Sequence, residues 1–108
     1  MVTNTINVQY LSHFGGDDSY LLITPKETFL LTDFRYIEQA EKETSGIKII
    51  KHKNGLIKEI AKLASKYKLK NIGFEQDSVI YGNYKMMEKT FKGKVSLVPC
   101  SRIVEELR

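Results

Sequence analysis

Two short apolar runs in the first third of the chain give its clearest strand pattern. Residues 20–24 and 28–32 are rich in leucine, isoleucine and aromatic side chains, and Pro25-Lys26-Glu27 separates them. Because proline and polar residues favour a turn, this pattern predicts a β-hairpin. Residues 15–18, Gly-Gly-Asp-Asp, favour a turn that uses the free backbone angles of glycine. A phosphate-binding loop is the alternative, but it needs a lysine and a following helix, and a strand follows instead.

After the hairpin, apolar residues recur at helical spacing in three segments. Residues 33–44 predict a helix that is capped by Asp33 or Thr32. A longer helix is predicted after Asn54-Gly55, and a third after Ser78, which we expect to cap it. The apolar positions that define the second and third helices are Leu56, Ile57, Ile60, Leu63, Ala64, Tyr67, Ile80, Tyr84, Met87 and Phe91.

Short strand patterns alternate with these helices. Residues 47–50, 71–75 and 95–98 are predicted strands, and Pro99 is expected to end the last of them. Ser101 then caps a predicted closing amphipathic helix. Two strands followed by alternating helices and strands indicate an α/β fold in which helices flank one mixed β-sheet.

Composition places the chain among single-domain globular proteins. It has 108 residues, of which 42% are hydrophobic and 28% charged, which excludes a disordered tail and a membrane-embedded chain. Cys100 is the only cysteine, so an intrachain disulfide and a thiol-rich zinc site are both excluded. The apolar runs are too short for a bilayer span, and the N-terminus lacks a secretory signal. We therefore predict a cytoplasmic protein with no membrane partner.

A net charge of +4 raises the question of nucleic-acid binding. Nearly all the basic residues are lysines spread through helix-like stretches, and only Arg35, Arg102 and Arg108 are arginines. Proteins that bind nucleic acids favour arginine side chains, which donate two hydrogen bonds to a phosphate or a base, and exposed aromatic side chains. The pattern therefore favours solvated helix faces, and we predict no nucleic-acid partner.

The histidines and the cysteine show no spacing typical of a metal or nucleophile site. His13 and His52 lie far apart, and neither has a second ligand at a position such as i+4. We predict that both histidines lie in loops or on the surface. Cys100 is adjacent to Pro99, and a structural role is the commoner one for such a thiol, although a reactive thiol is the alternative.

Four carboxylates raise the alternative that the domain is a metal-dependent nuclease. In mixed-sheet nucleases of the ribonuclease H type, acidic side chains at strand ends hold two metal ions, and Asp17, Asp18, Asp33 and Glu75 are the candidates here. Two-metal catalysis needs these carboxylates to converge. The simpler interpretation makes Asp33 a helix cap and the other two aspartates solvated turn residues.

The segment at residues 32–36 is the most informative for function. It places Arg35 between Phe34 and Tyr36 at a predicted strand-to-helix junction. A guanidinium there offers a planar two-pronged donor to a carboxylate, and the helix N-terminus favours the same anion. The alternative is a structural ion pair of Arg35 with Asp33 or Glu38.

Several motifs together resemble the N-terminal domain of the creatinase and prolidase family, which occurs in Xaa-Pro dipeptidases and aminopeptidase P. Residues 10–24, YLSHFGGDDSYLLIT, resemble the family's YLTGF.GS.G.LLIT stretch, and residues 32–40, TDFRYIEQA, resemble its TDSRYxxQA element. Residues 72–75 resemble its IGFE strand, and residues 98–99 and 103–108 resemble the run into its interdomain linker. Phe34 departs from the family pattern, which has a small residue there.

The resemblance implies a ribonuclease H-like fold for a non-catalytic domain spanning residues 1–108. It also implies that a catalytic pita-bread domain follows residue 108 and holds a divalent metal pair of the manganese or cobalt type, so that this domain itself needs no cofactor. The family begins with a helix and a strand ahead of the first motif. Since only residues 1–8 precede that motif here, we expect an opening helix and most of a strand to be absent.

The resemblance further implies a role in substrate gating and dimerisation, without catalytic residues in this chain. In the family this domain leans over the active site, often that of the second subunit of a homodimer, and restricts it to short proline-containing peptides. Arg35 is then the expected substrate contact, with Phe34 and Tyr36 shaping the site and Asp33 orienting the arginine. The alternative is a stand-alone module of the same fold that binds peptides or proteins.

Overall fold

The computed structural model of the protein covers residues 1–108 and contains four α-helices and five β-strands. The helices are α1 (Thr5–Ser12), α2 (Ile37–Glu43), α3 (Leu56–Lys66) and α4 (Tyr81–Phe91), with a 3-10 turn at Phe34–Tyr36 ahead of α2. The strands are β1 (Tyr20–Ile23), β2 (Thr28–Thr32), β3 (Lys48–Lys51), β4 (Asn71–Glu75) and β5 (Ser96–Cys100). The predicted hairpin, alternation of helices and strands, and α/β class are confirmed.

Strand pairing is mixed, as predicted, but it forms two ladders instead of one continuous sheet. β1 pairs with β2 antiparallel, β2 pairs with β3 parallel, and β4 pairs with β5 parallel. Only the first residues of the chain, Met1 and Val2, lie between β1 and β4. Val2 forms an isolated antiparallel bridge to Leu21, and the Met1 ammonium donates to the Gly73 carbonyl oxygen at 2.7 Å.

The core consists of two apolar clusters on opposite faces of β2. Successive side chains of a strand point to opposite faces. Phe29 and Leu31 accordingly join the cluster that contains the buried faces of α3 and α4, and Leu30 joins the cluster that contains Val8 of α1 and Ala40 of α2. Burial on both faces explains why β2 is apolar throughout its centre and does not alternate with polar residues.

Helix α1 is missing from the sequence prediction. Its cap is Asn4, whose side-chain oxygen accepts from the Asn7 backbone N–H at 3.1 Å. Its buried residues are Asn7, Val8 and Ser12, so two of the three are polar and no apolar stripe marks the helix in the sequence.

The predicted closing helix is also wrong. Residues 102–107 form successive turns with single backbone bonds, such as Glu106 N–H to the Arg102 carbonyl at 3.1 Å. The Ser101 hydroxyl bonds to the Asp77 carboxylate at 2.8 Å and caps no helix. Arg102 itself has a φ of 56°, which interrupts a helical path at its start.

Strand β5 runs through Pro99 to Cys100, so the prediction that Pro99 ends it is wrong. The Ser96 N–H bonds to the Lys70 carbonyl, and the Cys100 carbonyl accepts from Gln76. Alternate residues of a strand bond to the same side, so Pro99 faces away from β4 at an edge where no N–H donor is needed.

The predicted cap of α4 is wrong as well. This helix begins at Tyr81 and its N-cap, Ile80, makes no side-chain capping bond. Ser78 lies earlier, and its hydroxyl bonds to the Thr3 hydroxyl at 2.9 Å. The side chain predicted to start the helix therefore ties the turn after β4 to the N-terminal segment.

No helix of the structure is long and apolar enough to cross a lipid bilayer.

The central position of β2 gives a stability prediction. Leu30 is 0% exposed, in the apolar cluster that also contains Ala40 of α2. Because Leu30→Ala would leave a cavity there, it should lower the free energy of unfolding by about 2–5 kcal/mol. Leu107→Ala is the matched control, since Leu107 is 63% exposed and its replacement should cost under about 0.5 kcal/mol. Urea unfolding followed by circular dichroism measures both. Equal losses would contradict the assignment of Leu30 to the core.

Candidate functional site

The carboxyl ends of β2 and β3 lie side by side because the two strands are parallel. Thr32 ends β2 and is fully buried, and its carbonyl oxygen accepts from the His52 N–H at 3.0 Å. The Thr32 hydroxyl lies 2.8 Å from the Ser19 hydroxyl, which ties the turn ahead of β1 to the same place. The residues that follow each strand are thereby collected at one edge of the sheet.

Asp33 follows β2 and caps the 3-10 turn after it. Its backbone is extended, with φ −93° and ψ 174°, and its side chain accepts from the Arg35 backbone N–H at 2.9 Å. This bond satisfies a donor that the first turn of a helix otherwise leaves free. Of the two predicted caps, Asp33 and Thr32, the structure uses Asp33, but it caps the 3-10 turn at Phe34–Tyr36. Helix α2 begins at Ile37, and its own N-cap, Tyr36, makes no side-chain capping bond.

The Arg35 side chain folds back onto the same aspartate. Its Nε lies 3.1 Å from each carboxylate oxygen of Asp33, and its Nη2 donates to Oδ2 at 2.6 Å. Asp18 lies farther away, with 3.7 Å between its Oδ2 and Nη2. The structural ion pair with Asp33 is therefore formed. The alternative partner, Glu38, pairs instead with Lys42 at 3.3 Å.

An aromatic ring also contacts the arginine. The guanidinium carbon of Arg35 lies 5.1 Å from the centre of the Tyr36 ring, within range of a cation–π contact. Tyr36 in turn meets the buried Phe14 ring edge-on, with 6.0 Å between ring centres. The Arg35 side chain remains 55% exposed, and Phe34 is 74% exposed. Since Asp33 engages Nε and Nη2, the Nη1 edge of the guanidinium is free to meet a second anion.

A shallow polar depression of about 440 Å³ adjoins the arginine. Its lining residues are Arg35, Glu38, Gln39, Lys42 and Glu43. None of them is apolar, and the depression is open to solvent. Ligand pockets that bury a small molecule are mostly apolar and concave. The domain therefore presents Arg35 at its surface and needs a second surface opposite to enclose a ligand.

The ion pair dominates the electrostatics of the site. The hydrogen bond from Arg35 is the main cause that holds the pKa of Asp33 below its usual range, and the same bond raises the pKa of Arg35. Burial, with a smaller contribution from Asp18, raises the pKa of the nearby Tyr20 hydroxyl. Asp33 and Arg35 therefore remain charged near neutral pH.

His52 is a residue of this edge that the sequence did not assign to it. It lies in the loop after β3, as predicted, but it is half-buried there, and its Nδ1 is buried without a hydrogen-bond partner. Its proximity contributes to the lowered pKa of Asp33. Only the parallel register of β2 and β3 brings it there. His13 is exposed at the end of α1, as predicted.

The four candidate carboxylates of the nuclease alternative do not converge. Asp18 and Asp33 flank Arg35, whereas Asp17 is an exposed turn residue. Glu75 is occupied elsewhere, accepting from the Thr3 and Asn4 backbone N–H groups and from the Asn7 side chain. No group of three or more His, Cys, Asp or Glu side chains is arranged to hold a metal ion.

The turn that carries Asp18 depends on a glycine for space. A Cβ atom at Gly16 would lie 2.2 Å from the Phe14 ring, which leaves no room for any side chain. The glycine pair was predicted to supply unusual backbone angles. In the structure neither glycine has a positive φ, and Asp18 takes the left-handed conformation with φ 50°.

The lowered pKa of Asp33 predicts a pH dependence of stability. A carboxyl whose pKa is depressed by folding stabilises the fold above its unfolded pKa of about 3.9, and this stabilisation disappears as the pH falls through the lower folded pKa. Asp33→Asn should therefore reduce the loss of stability between about pH 7 and pH 3 in urea unfolding. Arg35→Gln should reduce it similarly, because Arg35 is the main cause of the shift. The hydrogen bond with Lys48 also lowers the pKa of Glu27, so part of the pH dependence of stability should remain in both variants. A wild-type slope in both variants would contradict this origin.

Comparison with known proteins agrees with this architecture. The family described as the creatinase/prolidase N-terminal domain matches residues 1–108. An uncharacterized peptidase of Bacillus subtilis (strain 168), YqhT, is 35% identical over 108 residues, a match that covers 100% of this chain and 30% of that protein.

Solved structures give the same result. An Xaa-Pro dipeptidase from Bacillus anthracis is 36% identical with a TM-score of 0.91, covering 99% of this chain and 30% of that chain. The N-terminal domain of the cytoplasmic peptidase PepQ from Mycobacterium tuberculosis H37Rv is 29% identical with a TM-score of 0.89, covering 99% of this chain and 84% of that one. The chain spans 30% of the length of the first relative in each comparison. Because the family match extends over every residue and agrees with the motifs and the fold, this chain belongs to the creatinase/prolidase N-terminal domain family.

Proposed function

We propose that this chain is the substrate-gating and dimerisation domain of a metal-dependent Xaa-Pro dipeptidase or aminopeptidase P. The observation that carries the proposal is the geometry of Arg35, which Asp33 and Tyr36 hold with one edge exposed and no enclosing pocket. Such an arginine suits a domain that completes a site on another surface. The dipeptidase from Bacillus anthracis and the cytoplasmic PepQ supply the substrate class and the cytoplasmic location.

The catalytic chemistry in this proposal lies outside residues 1–108. The chain spans 30% of the Bacillus relatives, which leaves room there for a catalytic domain with a divalent metal pair of the manganese or cobalt type. The residues present here do not fit such a pair, since no acidic or histidine cluster could hold a metal. The 108-residue chain alone is therefore expected to hydrolyse no peptide.

Arg35 would select short peptides through their carboxylate. A carboxylate matches the planar donors of a guanidinium, and the free Nη1 edge faces away from Asp33. A dipeptide ending in proline carries its carboxylate next to the scissile bond, whereas a longer peptide carries an uncharged amide there. Asp33 keeps Arg35 oriented, while the exposed Phe34 and the stacked Tyr36 limit the space around the bound proline.

The test is a chimera in which this chain replaces the matching domain of the Bacillus anthracis dipeptidase. With manganese and an Xaa-Pro dipeptide as substrate, Arg35→Ala should lower kcat/KM roughly 10- to 100-fold, as expected for the loss of a charged hydrogen bond. Arg35→Lys should recover part of the lost kcat/KM, because lysine keeps the positive charge but lacks the planar pair of donors of the guanidinium.

Two controls separate a substrate contact from a structural role. Lys42→Ala removes a neighbouring cation from the same depression and should leave kcat/KM unchanged. An Xaa-Pro substrate with an amidated C-terminus should be cleaved equally by the chimera and its Arg35→Ala variant, since the carboxylate is already absent. An equal loss on both substrates would overturn the carboxylate contact and leave Arg35 a structural residue.

Dimerisation is the second element of the proposal. Phe34 beside Arg35 is 74% exposed, and large aromatic side chains are enriched in protein interfaces. We expect the chimera to sediment as a dimer in analytical ultracentrifugation. Phe34→Asp should shift it toward monomer, whereas the surface change Lys89→Asp should not. A chimera that is monomeric at every concentration would contradict this element.

A further inference from the structure

The positive charge of the domain is concentrated on the surface formed by helices α3 and α4. Residues 56–70 and 81–95, which contain the two helices and the segments that follow them, hold nine lysines and two glutamates, a net charge of +7. Because the whole chain carries +4, all the other residues together carry −3. All nine lysines are exposed, and both helices pack into the same apolar cluster. Their lysines therefore form one basic surface.

A depression of about 340 Å³ lies in this basic surface, where the two helices end. Three lysines line it, Lys68, Lys70 and Lys94, and no acidic residue does. Its volume falls within the range of ligand pockets, about 300–1,000 Å³. The depression combines these exposed lysines with apolar residues, some of them fully buried. The apolar lining residues are Ala61, Ala64, Leu69, Phe91 and Val95.

The parallel pairing of β4 and β5 brings the three lysines together. Each strand follows a helix, so the two helix-to-strand connections meet at the amino ends of the strands. The Ser96 N–H donates to the Lys70 carbonyl at 2.9 Å, which joins the two connections directly. The Leu69 N–H donates to the Ala64 carbonyl at 2.8 Å and folds the first connection back against its helix. Lys70 and Lys94 are thus neighbours in space although they are distant in the sequence.

The lysines of the depression have no anionic partner within the chain. Six ion pairs are present in the structure, and none of them involves a lysine of the depression. The two glutamates of the basic surface, Glu59 and Glu88, are paired with Lys62 and Lys85 instead. Positive charges that line one depression repel each other, and a bound anion offsets this repulsion. The depression is therefore suited to an anionic group from outside the chain.

The lining residues favour an apolar ligand rich in carboxylates over a nucleic acid. None of the cations is an arginine, so the paired donors that recognise phosphates and guanine are absent. The one aromatic lining residue, Phe91, is 1% exposed and offers no ring face on which a base could stack. Lysine ammonium groups are compact charges on flexible stems and can meet carboxylates from several directions. Leu69 and Val95 are half-buried and provide an apolar contact for an aliphatic side chain.

We propose that this depression binds an acidic segment of a partner protein, with one aliphatic side chain against the apolar residues and carboxylates on either side of it at the lysines. Burial of the aliphatic side chain supplies affinity, and the opposite charges speed association and select against basic partners. The basic surface and the depression beside Arg35 lie on opposite faces of β2, because α3 and α4 pack in one apolar cluster and α2 packs in the other. The two depressions share no lining residue, so binding here is separate from the proposed gating function.

The test uses the peptide acetyl-Glu-Glu-Leu-Glu-Glu-amide, titrated into the isotope-labelled chain. The backbone amide resonances of Leu69 and Val95 should shift, because both residues line the depression, whereas that of Arg35 should not. Raising the salt concentration from about 50 mM to about 300 mM should weaken binding severalfold, since salt screens exposed charges. Absence of binding, or shifts confined to residues near Arg35, would overturn the proposal.

Charge reversals locate the binding site on the chain. Lys70→Glu and Lys94→Glu should each weaken peptide binding about tenfold, because each replaces an attraction by a repulsion. Lys53→Glu is the matched control: it changes the net charge equally, but it lies before α3, at the opposite end of a helix about 16 Å long. Its affinity should stay within about twofold of the wild type. All three lysines are exposed, and thermal unfolding verifies that the variants keep their fold. An equal loss in Lys53→Glu would show that binding follows net charge alone, which overturns the proposal.

Two further ligands test the chemistry of the partner. The peptide acetyl-Glu-Glu-Gly-Glu-Glu-amide keeps the charges but lacks the aliphatic side chain, so it should bind about tenfold more weakly. Equal affinity for both peptides would overturn a site that needs an apolar group. A short oligothymidylate should bind more weakly than the leucine peptide at about 150 mM salt. Tighter binding of the oligonucleotide, weakened by both Lys70→Glu and Lys94→Glu, would make this a nucleic-acid site and overturn the proposal.

Discussion

The burial of β2 on both faces is the constraint on which the rest of the domain depends. Phe29 and Leu31 enter one apolar cluster and Leu30 enters the other, so layers of helix must cover the strand from both sides. A strand of this kind also needs pairing on both edges, which β1 and β3 provide. The return from β2 to a parallel β3 takes the chain through α2 and places the carboxyl ends of the two strands together. Site residues are thus gathered as a consequence of burying three side chains.

The Asp33 and Arg35 pair illustrates how such an edge is used. Ion pairs at exposed positions contribute little to stability, so energy alone does not explain a geometry with Nε and Nη2 both engaged. Its effect is to hold a flexible side chain in one orientation before any ligand arrives, which lowers the entropy lost on binding. The domain thus presents an ordered donor on an otherwise open surface.

Patterns that depend on local periodicity were predictable from the sequence. The hairpin, the cap at Asp33 and the apolar stripe of α3 are of this kind. Helix α1 was missed because it buries Asn7 and Ser12, polar residues whose hydrogen bonds are visible only in three dimensions. His52 was missed because its neighbours come from another strand. The separation of the sheets was missed because it depends on where Met1 and Val2 lie between distant strands.

The orientation of Arg35 depends on contacts in the interior of the domain. Gly16 leaves just enough room for the Phe14 ring, Phe14 meets Tyr36 edge-on, and Tyr36 lies under the guanidinium. These contacts connect a buried backbone position to the surface donor through two rings in direct contact. Any enlargement at position 16 would displace the rings together and carry the arginine with them. The core therefore determines the direction of Arg35, and a different direction would require this interior to be rebuilt as a unit.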